Sequence, residues 1–290
     1  MERDARQPGG GRSRERGLLI GRFHPLHRGH RFAVDFARNY ADDVDAVVCA
    51  PDAATGQAAA AELRARAEGV DVAVLVDPRF AQPKGPLWTE AIAEHLADQW
   101  APSPTYLFSS DRWQHVLARQ LDLEYVPMDE ARLIFPSPEP VFPDAAEESL
   151  GLKRVCVWGA ESVGKTTLAE QLAKEFKTRW VPEYVRCYLD QEGRDGTGYL
   201  EDIPAIARGQ MATEHAVAAQ TEDLLICDTN LLATCAWSDV LFGTTPDAVR
   251  EMANHRAKNY GLYLFLDTDV PWVRDRQRCH ADANKREEFS

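Results

Sequence analysis

Across 290 residues, 44% hydrophobic and 27% charged side chains leave enough apolar material for two ordinary domain cores under a normally solvated surface. A formal net charge of −13 speaks against a nucleic-acid surface, which needs clustered Lys and Arg, and no apolar run approaches the roughly 18 residues of a membrane-inserting segment. Six scattered cysteines (Cys49, Cys156, Cys187, Cys227, Cys235, Cys279) without a C-x-x-C pair read as reduced thiols, so a disulfide framework or zinc site is not expected and the cytoplasmic compartment is.

Residues 1–16 mix Arg, Glu and Asp with Gly9, Gly10 and Gly11 and lack the apolar centre of a signal peptide. They read as a disordered tail, with a basic targeting or binding arm as the alternative. An apolar strand follows at 17–20, then a glycine-bearing turn over 21–30 and a helix from about Arg31. Further strands are predicted at 46–49, 72–76 and 106–108, and helical periods at 58–68 and 88–100. Residues 135–143 carry four prolines and run into the acidic stretch 144–148, which marks a linker. The second half repeats the opening: a strand at 154–158, a glycine turn over 159–166 and a helix through Phe176. Strands at 178–181, 224–227 and 262–266 and helices at 203–220 and 247–259 complete it. The predicted fold class is α/β with two doubly wound parallel-sheet domains. The expected divisions are a tail at 1–16, a Rossmann-like domain at 17–133, a linker at 134–150 and a P-loop domain at 151–290.

In the second turn, Gly159, Ala160, Glu161, Ser162, Val163, Gly164, Lys165 and Thr166 satisfy G-x-x-x-x-G-K-[ST] in full, and Thr167 follows. The glycines let backbone N–H groups turn inward onto a polyphosphate, and the next helix presents its positive end to the same oxygens. ATP is therefore the expected cofactor, with Lys165 on its β/γ-phosphates and Thr166 on Mg²⁺. Asp228 ends an apolar strand, the place for a Mg²⁺-organising acid; a turn or helix-capping Asp is the alternative. Glu183 stands where it can address an acceptor hydroxyl, a surface carboxylate being the plainer reading. Arg274, Arg276 and Arg278 form a candidate lid that would neutralise a transferring phosphoryl group, or a solvated helix face.

The first turn holds Gly21, Arg22, Phe23, Pro25, His27, Gly29 and His30, an H-x-G-H pattern. Two histidines three apart leave the first helical turn side by side, placed to bind the phosphates of a nucleoside triphosphate. A substrate phosphate can then attack the α-phosphorus while pyrophosphate leaves, so positioning and charge carry the catalysis. A structural histidine pair is the alternative; a zinc pair lacks a nearby third ligand.

These motifs together resemble the bifunctional NadR family, an adenylyltransferase domain followed by a ribosylnicotinamide kinase. The resemblance runs from Gly17 to Phe289 and includes Trp88 with Thr89, Phe108 with Ser109 and Ser110, and the Gly159-x-Glu161-Ser162 start of the P-loop. It also takes in Glu183, Tyr184 and Arg186, then Asp228 with Thr229, and Pro271 to Arg278. It implies that Trp88 lies against nicotinamide, Ser109 contacts ATP, and Glu183, Tyr184 and Asp228 meet the kinase substrate. The implied ligands are ribosylnicotinamide, nicotinamide mononucleotide, ATP and Mg²⁺; assembly into a homo-oligomer is compatible with the sequence.

Three departures qualify the resemblance. No S-x-T-x-x-R element lies between Leu133 and Gly151, and Arg132, the nearest cation, stands outside that context. Cys187 replaces a usual acid, and the helix and strand with which the family continues have no counterpart up to Ser290. Residues 1–16 are too short for the helix-turn-helix of enterobacterial relatives, so no repressor role is expected. Two rival readings keep the P-loop: a kinase with a degenerate nucleotide-sensing first domain, and an ATPase or switch acting on a protein partner.

Overall fold

The computed structural model describes residues 14–96, 104–135, 151–191 and 198–268. The tail to residue 13, the linker from 136 to 150, and Arg274, Arg276 and Arg278 lie outside the described residues.

The first sheet is built from β1 (Arg16–Gly21), β2 (Asp43–Ala50), β3 (Asp71–Val76), β4 (Tyr106–Ser109) and β5 (Glu124–Pro127). All pairings are parallel, in the order β3-β2-β1-β4-β5. Helices α1 (Arg28–Tyr40), α2 (Ala53–Arg66), α3 (Pro86–Leu96) and α4 (Gln114–Gln120) connect them. Such crossovers cover the sheet with helices, which is why β1 and β2 are buried along almost their whole length. The strand begins at Arg16, inside the expected tail: Arg16 reaches the buried Asp45, and Glu15 is tied to Arg208.

The second sheet is also parallel, ordered β7-β8-β6-β9, from β6 (Lys153–Gly159), β7 (Arg179–Val181), β8 (Leu224–Asp228) and β9 (Leu262–Leu266). It carries α5 (Lys165–Glu175), α6 (Tyr184–Leu189), α7 (Ile203–Ala218), α8 (Leu231–Phe242) and α9 (Asp247–Arg256). No helix among the described residues is long and apolar enough to cross a membrane.

The two halves share one continuous core. α1 packs on α7, and the buried cluster runs from Phe32, Phe36 and Tyr40 through Tyr184 and Tyr188 to Ala212 and Ala216. Burying one such ring contributes about 1.5–3 kcal/mol, so this seam is a substantial part of the fold. Polar contacts fix its register: the Tyr184 hydroxyl donates to the Pro127 carbonyl at 3.0 Å, and Arg208 reaches Glu15 at 2.8 Å and the Tyr106 hydroxyl at 3.1 Å. Past residue 133, Ile134 and Phe135 are buried in the same core, with Phe135 against Phe32.

Candidate active sites

The first site lies where β1 runs into α1. His27 caps the helix, its Nδ1 accepting from the His30 backbone N–H at 3.3 Å, and the two imidazoles stack with centroids 3.7 Å apart. That contact leaves the His27 proton on Nε2, as a donor. Phe23, at a positive φ of 50°, sets its ring 5.1 Å from His30. Burial, followed by the neighbouring His27, pushes His30 down to about 3; burial, then Arg132 and Lys84, lowers His27. Both rings are therefore neutral near pH 7 and meet an anion as N–H donors, without a net charge.

Around them opens a cleft lined by Gly21, Phe23, Gly29, Lys84, Ser109, Asp111, Gln114, Asp129, Arg132 and Phe135. Ser109 ends β4, its Oγ accepting from the Asp111 N–H at 2.9 Å. Gln114 donates to the Ile20 carbonyl at 3.1 Å. Its buried Oε1 and the buried His30 Nδ1 have no hydrogen-bond partner among the described residues. Two unpaired polar atoms in one cleft fit a site that completes its hydrogen bonds on a ligand.

The second site lies where β6 runs into α5. Gly159 takes a φ of 148°, and a Cβ there would sit 2.7 Å from the Leu266 carbonyl oxygen, so the turn demands glycine. Ser162 and Gly164 also have positive φ, at 63° and 88°, which curls the loop inward. Ala160 and Val163 are buried beneath it, and Thr167 faces solvent in the first turn of α5. Lys165 Nζ lies across the loop, donating to the Ala160 carbonyl at 2.7 Å and the Gly159 carbonyl at 3.0 Å.

Behind the lysine, the Thr166 hydroxyl donates to Asp228 Oδ2 at 2.5 Å, and the buried Asp228 Oδ1 has no partner among the described residues. Burial, with the Glu183 charge next, raises the Asp228 carboxyl to about 6. An orphaned carboxylate oxygen beside a hydroxyl is an all-oxygen donor set of the kind Mg²⁺ prefers, the remainder of its shell coming from water and phosphate. Thr166 and Asp228 thus fit the ion.

Glu161, Lys165, Glu183, Arg186 and Gln210 line a second cavity. Its walls are apolar: Ile203, Ile206, Trp237, Leu241 and Phe242. Glu183 caps α6 and lies 3.3 Å from Arg186. A third cavity, between the halves, is bordered by Thr166, Glu183 and Asp228 on one side and by Met128, Asp129 and Leu133 on the other.

Most of the expected residues among those described gather at two centres, and the structure places Trp88, Arg22 and Tyr184 as follows. Trp88 is wholly buried: its Nε1 donates to the Gln82 carbonyl, Phe80 packs edge-on, and the Arg22 guanidinium lies 4.9 Å over its ring. It is a core residue here, with no face open to a nicotinamide. Arg22 donates to the Phe80 and Gln82 carbonyls at 2.8 Å each, turned away from the histidine cleft. Tyr184 is a buried wedge between the halves, its hydroxyl committed to Pro127; it borders the third cavity beside Glu183 and Asp228, not the apolar one. In exchange, Lys84, Asp111, Gln114 and Arg132 join the first site and Trp237 the second; Arg132, set aside on sequence context, lines the cleft.

Two parallel α/β sheets, one headed by a histidine-lined cleft and the other by a P-loop, define a nucleotide-handling enzyme, and residues 154–290 match the AAA domain family. Along nearly its whole length the chain is a distant homologue of the NadR proteins. It is 21% identical over 304 residues to the trifunctional NAD biosynthesis/regulator protein NadR of Escherichia coli, covering 94% of this chain and 74% of that one. The Salmonella typhimurium protein of the same name is 22% identical, covering 96% and 75%. A crystal structure of NadR protein in complex with NR is 17% identical, covers 90% of this chain and 80% of that one, and superposes with a TM-score of 0.36. A second, in complex with NAD and AMP-PNP, is 19% identical, covers 87% and 81%, and has the same score. A superposition that loose bears no weight on the geometry of either site.

Proposed function

We propose that this protein phosphorylates the ribose 5′-hydroxyl of ribosylnicotinamide with Mg-ATP and then adenylylates the mononucleotide to NAD. The observation carrying the first step is that Glu183 borders two adjoining cavities, one shared with Lys165 and the other with the Thr166–Asp228 pair. In this reading the P-loop amides and Lys165 hold the ATP phosphates, and Thr166 and Asp228 hold Mg²⁺, which neutralises phosphate charge. Glu183 takes the proton of the attacking hydroxyl while the bond from the γ-phosphorus to the ADP oxygen breaks. The apolar walls around Trp237 suit a nicotinamide ring, and Arg278 would close over the phosphoryl group.

At the other site, His27 and His30 donate to the triphosphate while the mononucleotide phosphate attacks the α-phosphorus and pyrophosphate departs. The distant kinship with NadR over 94% of the chain supports pairing the two reactions. Mass spectrometry after incubation with ribosylnicotinamide and Mg-ATP tests both: mononucleotide and NAD are expected, and Lys165→Ala should abolish mononucleotide formation. ADP release without any phosphorylated nucleoside overturns the kinase assignment. The missing S-x-T-x-x-R element favours a second reading, a first half that binds nucleotide without catalysis. NAD and pyrophosphate formed from mononucleotide and ATP would rule that out.

A further inference from the structure

The histidine cleft has a charge problem. A nucleoside triphosphate brings several negative charges into a chain of net charge −13, and both imidazoles that face it are neutral. Cations must come from elsewhere, and the S-x-T-x-x-R element that supplies one in the resembled family is missing between Leu133 and Gly151. Two cations do line the cleft, from segments far apart in the chain. Lys84, just before α3, reaches Asp111 Oδ2 at 2.7 Å, and Arg132, in the turn after β5, reaches Asp111 Oδ1 at 2.6 Å. One carboxylate thus gathers two cations beside His27 and His30; Asp129 also lines the cleft, but its carboxylate is turned onto the backbone N–H groups of Leu133, Ile134 and Phe135.

The turn that carries Arg132 is built to hold it there. Arg132 has a positive φ of 55°, a conformation that a long side chain adopts only under external constraint. The constraint is Asp129, a buried carboxylate accepting from the backbone N–H groups of Leu133, Ile134 and Phe135, while the Arg132 N–H donates to its carbonyl. Phe135 anchors the far end against Phe32. The guanidinium itself is half exposed, as is the Lys84 ammonium, so an incoming phosphate can compete with Asp111 for both.

We propose that Lys84 and Arg132, gathered by Asp111, form the polyphosphate-binding edge of the histidine cleft and hold the pyrophosphate portion of the nucleotide. This rests on the reading of the first half as an adenylyltransferase. Arg132 and Lys84 replace by tertiary proximity what a helix start and its arginine would otherwise supply. The ligand class is a polyphosphate anion.

The reverse reaction isolates this edge, because pyrophosphate is a substrate of the adenylyltransferase alone: NAD and pyrophosphate return mononucleotide and ATP. Full-length Lys84→Gln and Arg132→Gln should each raise the KM for pyrophosphate about tenfold, and the double variant about a hundredfold, with the KM for NAD within about twofold. Arg132→Lys, which keeps the charge, should recover most of the loss, and raising salt should weaken the parent more than the double variant. A pyrophosphate KM unchanged in both single variants, or one that rises in step with the KM for NAD, overturns the proposal while leaving the adenylyltransferase in place. A parent that catalyses neither direction overturns that reading and this proposal with it.

Discussion

Burial lifts the Asp228 carboxyl to about 6, with Glu183 adding to the effect, because the ionised form has lost water and gained only Thr166 as donor. The unfolded chain ionises near 3.8, so at pH 7 the native state carries a buried charge that costs stability on the order of 1–3 kcal/mol. That cost grows as pH rises through about 4 to 6 and vanishes below the unfolded value. Asp228→Asn keeps a partner for Thr166 and removes the charge. It should melt higher than the parent at pH 7.5, match it near pH 3.5, and lose the proposed kinase turnover by about a hundredfold or more. Denaturant melts at the two pH values decide it; a variant less stable at pH 7.5 contradicts the account. The placement of Lys165, Thr166 and Asp228 is legible in sequence because it belongs to a contiguous loop and a strand end. Lys84 and Arg132 are not, since each meets Asp111 from more than twenty residues away and neither lies in a motif. For Trp88, Arg22 and Tyr184 a motif names the residue type, while packing decides which way the side chain faces.

At the scale of elements, α7 is a long helix with a glycine in its middle, at a cost near 1 kcal/mol against alanine. The reason is α6: a Cβ on Gly209 would sit 2.0 Å from the Tyr184 ring, and the Tyr184 backbone N–H donates to Gln210 on the same helix at 2.8 Å. Gly209→Ala therefore gains helix propensity and loses more to overpacking, for a net destabilisation of about 1–2 kcal/mol. Because α6 begins beside Glu183, its displacement should also raise the KM for the phosphoryl acceptor. A variant that melts above the parent would show that Tyr184 moves freely and does not fix α6. Most of the parallel-strand framework was readable from apolar runs, since strands buried on both faces cannot hide. The missed elements are the short or unpatterned ones: β5, with four residues, α4, with seven, α6, with six, and α8, apolar on nearly every side.

Over the whole molecule, two domains were legible as two motifs, whereas their fusion was not, because α1 and α7 each look like an ordinary amphipathic helix of a separate domain. Their apolar stripes face one another, and Tyr40, Tyr106 and Arg208 close the seam, with the Arg208 guanidinium 5.1 Å over Tyr40. Separating the halves would expose Phe36 and Tyr184, which pack ring to ring across the seam, to water. Calorimetry of the full chain should accordingly give one transition, with matching calorimetric and van't Hoff enthalpies. Arg208→Ala removes the contacts to Glu15 and the Tyr106 hydroxyl and should lower that single midpoint by about 2–4 °C. Two resolved transitions, with Arg208→Ala moving one and sparing the other, would mean that each half holds its own core and that the seam is a contact surface between independent bodies.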